Sequence, residues 1–149
     1  MAGQLPDLNL KVIGIVKNEM KEPGGRPNIG EIESEIILYD KYAGAADNIE
    51  AYSDITVLYW YHIPSPKGAI PYKAHPHRDE NYPLVGVLAT RGPNRPNDIG
   101  MCAAKLIEAR GNILRVAGLD AIDGSPVIDI KPYNPRYDSR PDATMPEWS

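Results

Sequence analysis

At 149 residues the chain suits one domain, and 42% hydrophobic content is enough to bury a core without metals or disulfides. Sixteen basic against 20 acidic residues, a net charge of −4, exclude a strongly basic nucleic-acid clamp while leaving room for a local basic patch. A lone cysteine, Cys102, excludes an internal disulfide; with no apolar run of membrane-spanning length and no signal-peptide pattern at the start, a soluble cytoplasmic protein is expected.

The elements follow in chain order. Leu8–Val16 (LNLKVIGIV) is β-branched and reads as a strand, followed by a Gly/Pro loop over Pro23–Asn28. Glu31–Tyr39 (EIESEIILY) alternates polar and apolar residues, the pattern of a half-buried strand. Ala45–Tyr52 has a weak apolar stripe and reads as a short helix. Ile55–Ile63 (ITVLYWYHI) is almost continuously apolar and predicts a strand, then a twenty-residue loop carries His75 and His77. Leu84–Thr90 predicts another strand, and Arg91–Gly100 (RGPNRPNDIG) can only be a loop. Met101–Arg110 has helix-favouring composition. Yet Gly111-Asn112 before Ile113–Val116 reads as a two-residue hairpin, which requires a strand on both sides. Val127–Lys131 is the last strand, ahead of a tail rich in Pro and Tyr. The 15 prolines lie mainly between the apolar runs, stiffening the loops. Six or seven strands with one short helix predict an all-β domain, a small closed or nearly closed β-barrel.

Two segments stand out chemically. Arg91 and Arg95 share a proline-stiffened loop, and a guanidinium fork suits carboxylate or phosphate; the ordinary alternative is surface ion pairing. Leu119–Tyr133 (LDAIDGSPVIDIKPY) holds an Asp-Gly turn, after which Asp129 and Lys131 share one strand face; a turn and a half-exposed strand would also account for it. His62, His75 and His77 could in principle ligate zinc, but no carboxylate- or cysteine-rich set accompanies them and Arg78 adjoins the pair, so no metal is expected. No GxSxG, P-loop or GxGxxG spacing is present.

Together, Ala89-Thr90-Arg91, Arg95-Pro96-Asn97, Ile99-Gly100-Met101, Asp123-Gly124, Pro126-Val127 and Asp129-Ile130-Lys131-Pro132-Tyr133 resemble the two signature stretches of the TsaA-like (TrmO) family. Val12–Val16, Glu50–Ser53 and Val57–His62 also fit, so the likeness runs from about Lys11 to Asp138. Asp98 stands where the family usually has proline, and Ser125 where it usually has threonine. The resemblance implies a β-barrel methyltransferase domain over residues 8–138 with a 139–149 tail. It implies S-adenosylmethionine as cofactor, a homodimer, and methylation of N6 of threonylcarbamoyladenosine beside the tRNA anticodon. It further implies cofactor contacts at Arg26, Pro27, Asn28, His62, Ile63, Arg91, Met101, Ala121, Ile122, Asp123 and Gly124. The aromatic faces of Tyr59 to Tyr61 could accept the cofactor's cation. Asp129, Lys131 and Tyr133 are candidates for orienting the methyl acceptor, and no catalytic residue is identified. The family's tRNA enzymes carry a further C-terminal domain, so a different methyl acceptor and a cofactor-binding module without turnover stay open as alternatives.

Overall fold

The computed structural model describes residues 8–24 and 28–149. Six strands form a closed antiparallel barrel: β1 (Gly14–Lys17), β2 (Glu33–Leu38), β3 (Asp54–Trp60), β6 (Ile99–Arg110), β7 (Ile113–Ala117) and β8 (Pro126–Pro132). Their order around the wall is β1-β2-β7-β6-β3-β8, closed by β8 pairing with β1, and β4 (Lys73–Ala74) with β5 (Val85–Gly86) makes a separate small ribbon.

Alternation decides what faces inward. Ile36 and Leu38, Ile55, Val57 and Tyr59, Leu114 and Val116, and Val127 fill the barrel, each burying one face of its strand. Each fully buried aliphatic side chain contributes roughly 1.5–3 kcal/mol relative to exposure. Ile107 and Ile128 are the extra residues of two bulges, where the β6–β7 register jumps between Leu106 and Glu108 and the β3–β8 register between Leu58 and Tyr59. Such bulges bend the wall into closure.

Met101–Arg110 is strand, the hairpin constraint at Gly111-Asn112 outweighing helix propensity, and Gly111 takes the left-handed φ of 60° that the turn requires. Three expectations are corrected. Regular pairing of the first strand is confined to Gly14–Lys17, because only there do β2 and β8 flank it; Leu8 and Leu10 are exposed. Ala45–Tyr52 is not α-helical but lies across 3₁₀ turns at Asp40–Ala46 and Ile49–Ala51, separated by left-handed Asn48. Leu84–Thr90 yields only the two-residue β5 and a 3₁₀ turn at Val87–Ala89. The α-helix sits in the proline-rich tail, α1 (Pro135–Asp138), where Asn134 caps the N–H of Arg136 and proline opens the first turn.

The register fixes what meets at one end. Trp60 pairs with Ile99, Tyr59 with Val127, Gly14 with Val127, and Glu33 with Ala117. The end of β3, the start of β6, the end of β7, the start of β8 and the end of β1 therefore share one mouth of the barrel.

Candidate functional site

That mouth gathers most of the residues singled out in the sequence. Arg91, in the segment joining β5 to β6, is exposed and donates from Nη2 to the Met101 carbonyl at 3.0 Å. Met101 lies on the outer face of β6, 51% exposed. His62 follows β3, and its Nε2 lies 3.6 Å from where a Cβ on Gly124 would stand. Its Nδ1 is buried with no hydrogen-bond partner, one of two such side-chain atoms among the described residues. Gly124 is exposed with a left-handed φ of 79°, so its backbone is open to close approach. Ile63 and Ile122 are half-buried in the same segments.

The turn after β7 is fastened from several sides. Asn18 is its hub: its Nδ2 donates to the Ala121 carbonyl at 2.8 Å and to Ser34 Oγ at 2.9 Å, its Oδ1 accepts from the Met20 N–H, and its own N–H donates to Asp123 Oδ1. Asp123 donates its N–H to the Met20 carbonyl and Gly124 its N–H to the Val16 carbonyl. Those bonds fix the turn, whose Ile122 N–H and Asp123 and Gly124 carbonyls have no partner among the described residues. Replacing Asn18 by alanine keeps its N–H but strands the Ala121 carbonyl, Ser34 Oγ and the Met20 N–H, and is expected to destabilise the fold by about 1–3 kcal/mol, read from urea unfolding.

Several candidates have other duties. Ala121 is buried in the core cluster, and its carbonyl already accepts from Asn18 Nδ2. The Asp123 carboxylate is taken by Lys21 at 2.6 Å and by the Asn18 N–H, and these hold its pKa below the ordinary carboxylate range. The pair is largely solvated, so the effect is modest. A depressed carboxylate pKa gives stability above about pH 4 that is lost as pH falls through the folded value. Asp123→Asn should therefore flatten the acid limb of the stability–pH curve, measured by urea midpoints, and leave the alkaline limb unchanged. Arg95 does not face a ligand: its Nη1 donates to the carbonyls of Val87, Thr90 and Gly92, tying the loop into one piece. Asp98, in the position where proline is usual, accepts the Arg95 N–H at 2.8 Å.

Asn28 opens a 3₁₀ turn whose Gly30 lies against Gly118, beside the start of the 118–124 segment; Arg26 and Pro27 lie outside the described residues. Asp129 pairs across the sheet with Leu58, and Leu58 with Met101, so the three form one row on the outer wall. At roughly 4.8 Å per strand, Asp129 stands about 10 Å from Met101. Asp129 is ion-paired to Lys131 at 2.9 Å, as their shared face predicts, and this bond raises the lysine pKa. Tyr133 donates its N–H to the Asp54 carbonyl at 3.0 Å, beyond the other end of β3 from Arg91. Tyr59 is not an open cation-accepting face: it is 3% exposed, with its ring over Gly100 inside the barrel. A shallow cavity of about 400 Å³ flanks Asp123 and Gly124, lined also by Ile15, Lys17, Lys21 and Tyr39. Among the described residues no cluster of three or more His, Cys, Asp or Glu is placed to hold a metal.

The closed six-stranded antiparallel barrel, with the candidate residues gathered at one mouth, defines the fold class of the protein. The chain belongs to the tRNA-methyltransferase O N-terminal domain family, whose model matches residues 15–139. It is 41% identical over 132 residues to an S-adenosyl-L-methionine-binding protein of Archaeoglobus fulgidus, covering 87% of this chain and 91% of that one. It is 35% identical over 142 residues to the tRNA (adenine(37)-N6)-methyltransferase of Escherichia coli, covering 89% of this chain and 60% of the enzyme. The crystal structure of TrmO from Pseudomonas aeruginosa superposes with a TM-score of 0.74 at 26% identity, over 93% of this chain and 62% of the other. The chain thus spans about two thirds or less of the tRNA enzymes it matches and nearly all of the archaeal protein.

Proposed function

We propose that the protein is an S-adenosylmethionine-dependent methyltransferase acting on N6 of adenosine 37 of tRNA, with the threonylcarbamoyl-modified nucleoside as acceptor. The observation that carries this reading is that two pairs, Arg91 with Met101 and His62 with Gly124, lie at the same mouth of the barrel. The residues fit the cofactor: an exposed guanidinium for its carboxylate, a buried imidazole nitrogen without a partner, and bare glycine backbone for close approach. When bound, the cofactor supplies a sulfonium methyl group for in-line displacement, a reaction that depends chiefly on positioning.

Arg91 holds the carboxylate end with the guanidinium donors that Met101 leaves free. The 121–124 turn presents the main-chain N–H of Ile122 and the carbonyls of Asp123 and Gly124 to the cofactor's polar atoms. The outer row from Met101 through Leu58 to Asp129 leads away from the cofactor and is the path for the acceptor; the Asp129–Lys131 pair offers both signs of charge to a threonyl carboxylate and amide. The N6–H of the modified base is acidified by its adjoining carbonyl, so orientation matters more than a strong base.

The working unit is a homodimer in the cytoplasm: Arg91, Met101 and Gly124 are exposed on one chain, and a second copy over them would cover the cofactor. Light scattering at micromolar concentration should give twice the chain mass, and a monomer would overturn the dimer.

Purified protein, S-adenosylmethionine and tRNA from cells lacking the modification test the function by nucleoside mass spectrometry. The expected product is the N6-methylated threonylcarbamoyl nucleoside. Cofactor binding by calorimetry without any methylated tRNA would move the assignment to another acceptor or to a binding module without turnover.

A further inference from the structure

Two phenols hold together the backbone on which the mouth is built. Tyr59, at the inner end of β3, donates its hydroxyl to the Asp120 carbonyl, one residue before the 121–124 turn. Tyr61, two residues on, donates to the carbonyl of Arg91 itself at 2.8 Å. The rings meet edge to face at 5.6 Å, so each restrains the other. The Tyr59 ring occupies the space above Gly100, where a Cβ would stand 2.6 Å from Cε2 and Cζ; glycine at 100 is what lets the ring lie there. Cys102, on the next inward position of β6, completes the fastening. Its Sγ accepts the Asp120 N–H at 3.4 Å and donates to the Gly118 carbonyl at 3.2 Å. Burial raises the pKa of both phenols, Tyr59 most, so they stay protonated donors across the physiological range.

The two carbonyls belong to segments far apart in sequence, and their common anchor is a pair of tyrosines two residues apart, one on β3 and one just beyond its end. We propose that Tyr59 and Tyr61 are positioning residues of the cofactor site, fixing the main chain that carries Arg91 on one side and the 121–124 turn on the other. The proposal rests on placing the cofactor at this mouth. Tyr61 acts through Arg91: without its hydrogen bond the loop keeps the internal ties made by Arg95 but loses this anchor to the barrel, and the guanidinium spends less time where the cofactor carboxylate meets it. Tyr59 acts through Asp120 in the same way, but its hydroxyl is buried and its loss also strains the core.

Calorimetric titration with S-adenosylmethionine of wild type, Tyr61→Phe, Arg91→Lys and the double variant tests this, with thermal unfolding of each. Tyr61→Phe is expected to weaken cofactor binding about five- to tenfold, the loss of one hydrogen bond. In turnover it should raise KM for the cofactor and keep kcat within about twofold. Because Tyr61 works through Arg91, the double variant should bind no more weakly than Arg91→Lys alone. Tyr61→Phe binding like wild type, or fold-losses that multiply in the double variant, would overturn the positioning role while leaving the cofactor assignment intact. Wild-type protein that fails to bind would overturn the assignment and the proposal together. Tyr59→Phe serves as the second variant; its binding should weaken even at temperatures well below its own unfolding midpoint, and unchanged binding there would overturn the Tyr59 half.

Discussion

Arg91→Lys should bind S-adenosylmethionine about ten- to a hundredfold more weakly while its apo form melts within a degree or two of wild type. The guanidinium already gives Nη2 to the Met101 carbonyl at 3.0 Å and has further donors in the same plane to give. An ammonium group has one nitrogen and no planar fork, so it cannot hold that carbonyl and a carboxylate in the same geometry. Loss of a charge-assisted hydrogen bond in a site is worth roughly 1.5–3 kcal/mol. Stability should scarcely respond, because the side chain is exposed and an exposed contact contributes at most about 1 kcal/mol. Normal binding together with a clearly lower melting temperature would make Arg91 a structural residue and remove it from the site.

Gly14→Ala is the stability counterpart. A Cβ at residue 14 would lie 2.5 Å from the Ile37 carbonyl oxygen and 3.0 Å from the Leu38 Cα. Both are backbone atoms of β2, so no side chain can turn aside and the strands must part. β1 is four residues long and is the piece that joins β2 to β8. Overpacking of this kind costs about 3 kcal/mol, or roughly 6–12 °C in melting temperature for a chain of this size. The site should loosen as well, since the Val16 carbonyl on β1 holds the Gly124 N–H. A variant melting like wild type would show that β1 can shift without opening the barrel.

The wall of the barrel was legible where alternation is unbroken. Glu33–Leu38 and Asp54–Trp60 present inward and outward residues in strict turn, and the Gly111-Asn112 turn settled the strand character of the segment before it. At the N-terminal run the apolar content misled, because pairing depends on partners that the local sequence does not reveal. Ile13 still bonds to Val127 and Tyr39, while Leu8 is largely and Leu10 about half exposed. Ala45–Tyr52 has helical composition, but left-handed Asn48 divides it into two short turns. The family motifs led to Arg91, Met101, His62 and Gly124, and the structure brings these into two touching pairs. Composition hid the division of labour: two arginines in one loop look equivalent, yet Arg95 is spent on three carbonyls and Arg91 is open. Asn18 carried no motif, and Tyr59 and Tyr61 were marked in the sequence only as aromatic faces; what marks their hydrogen-bonding part is long-range contact, which only the closed barrel creates.

Closure also dictates when the mouth comes into being during folding. The barrel seam spanning the greatest sequence separation joins Gly14 to Val127 and Ile15 to Pro126, contacts between opposite ends of the domain, and is expected to form last. Bringing such distant stretches together carries a loop-closure penalty before any pairing compensates it, which places chains of this topology among the slower small folders. The local β6–β7 hairpin can assemble early, whereas the Val16–Gly124 bond that finishes the mouth belongs to the closing seam. Ligand competence should therefore appear in refolding only with the slowest native phase, making cofactor capture a reporter of completed closure.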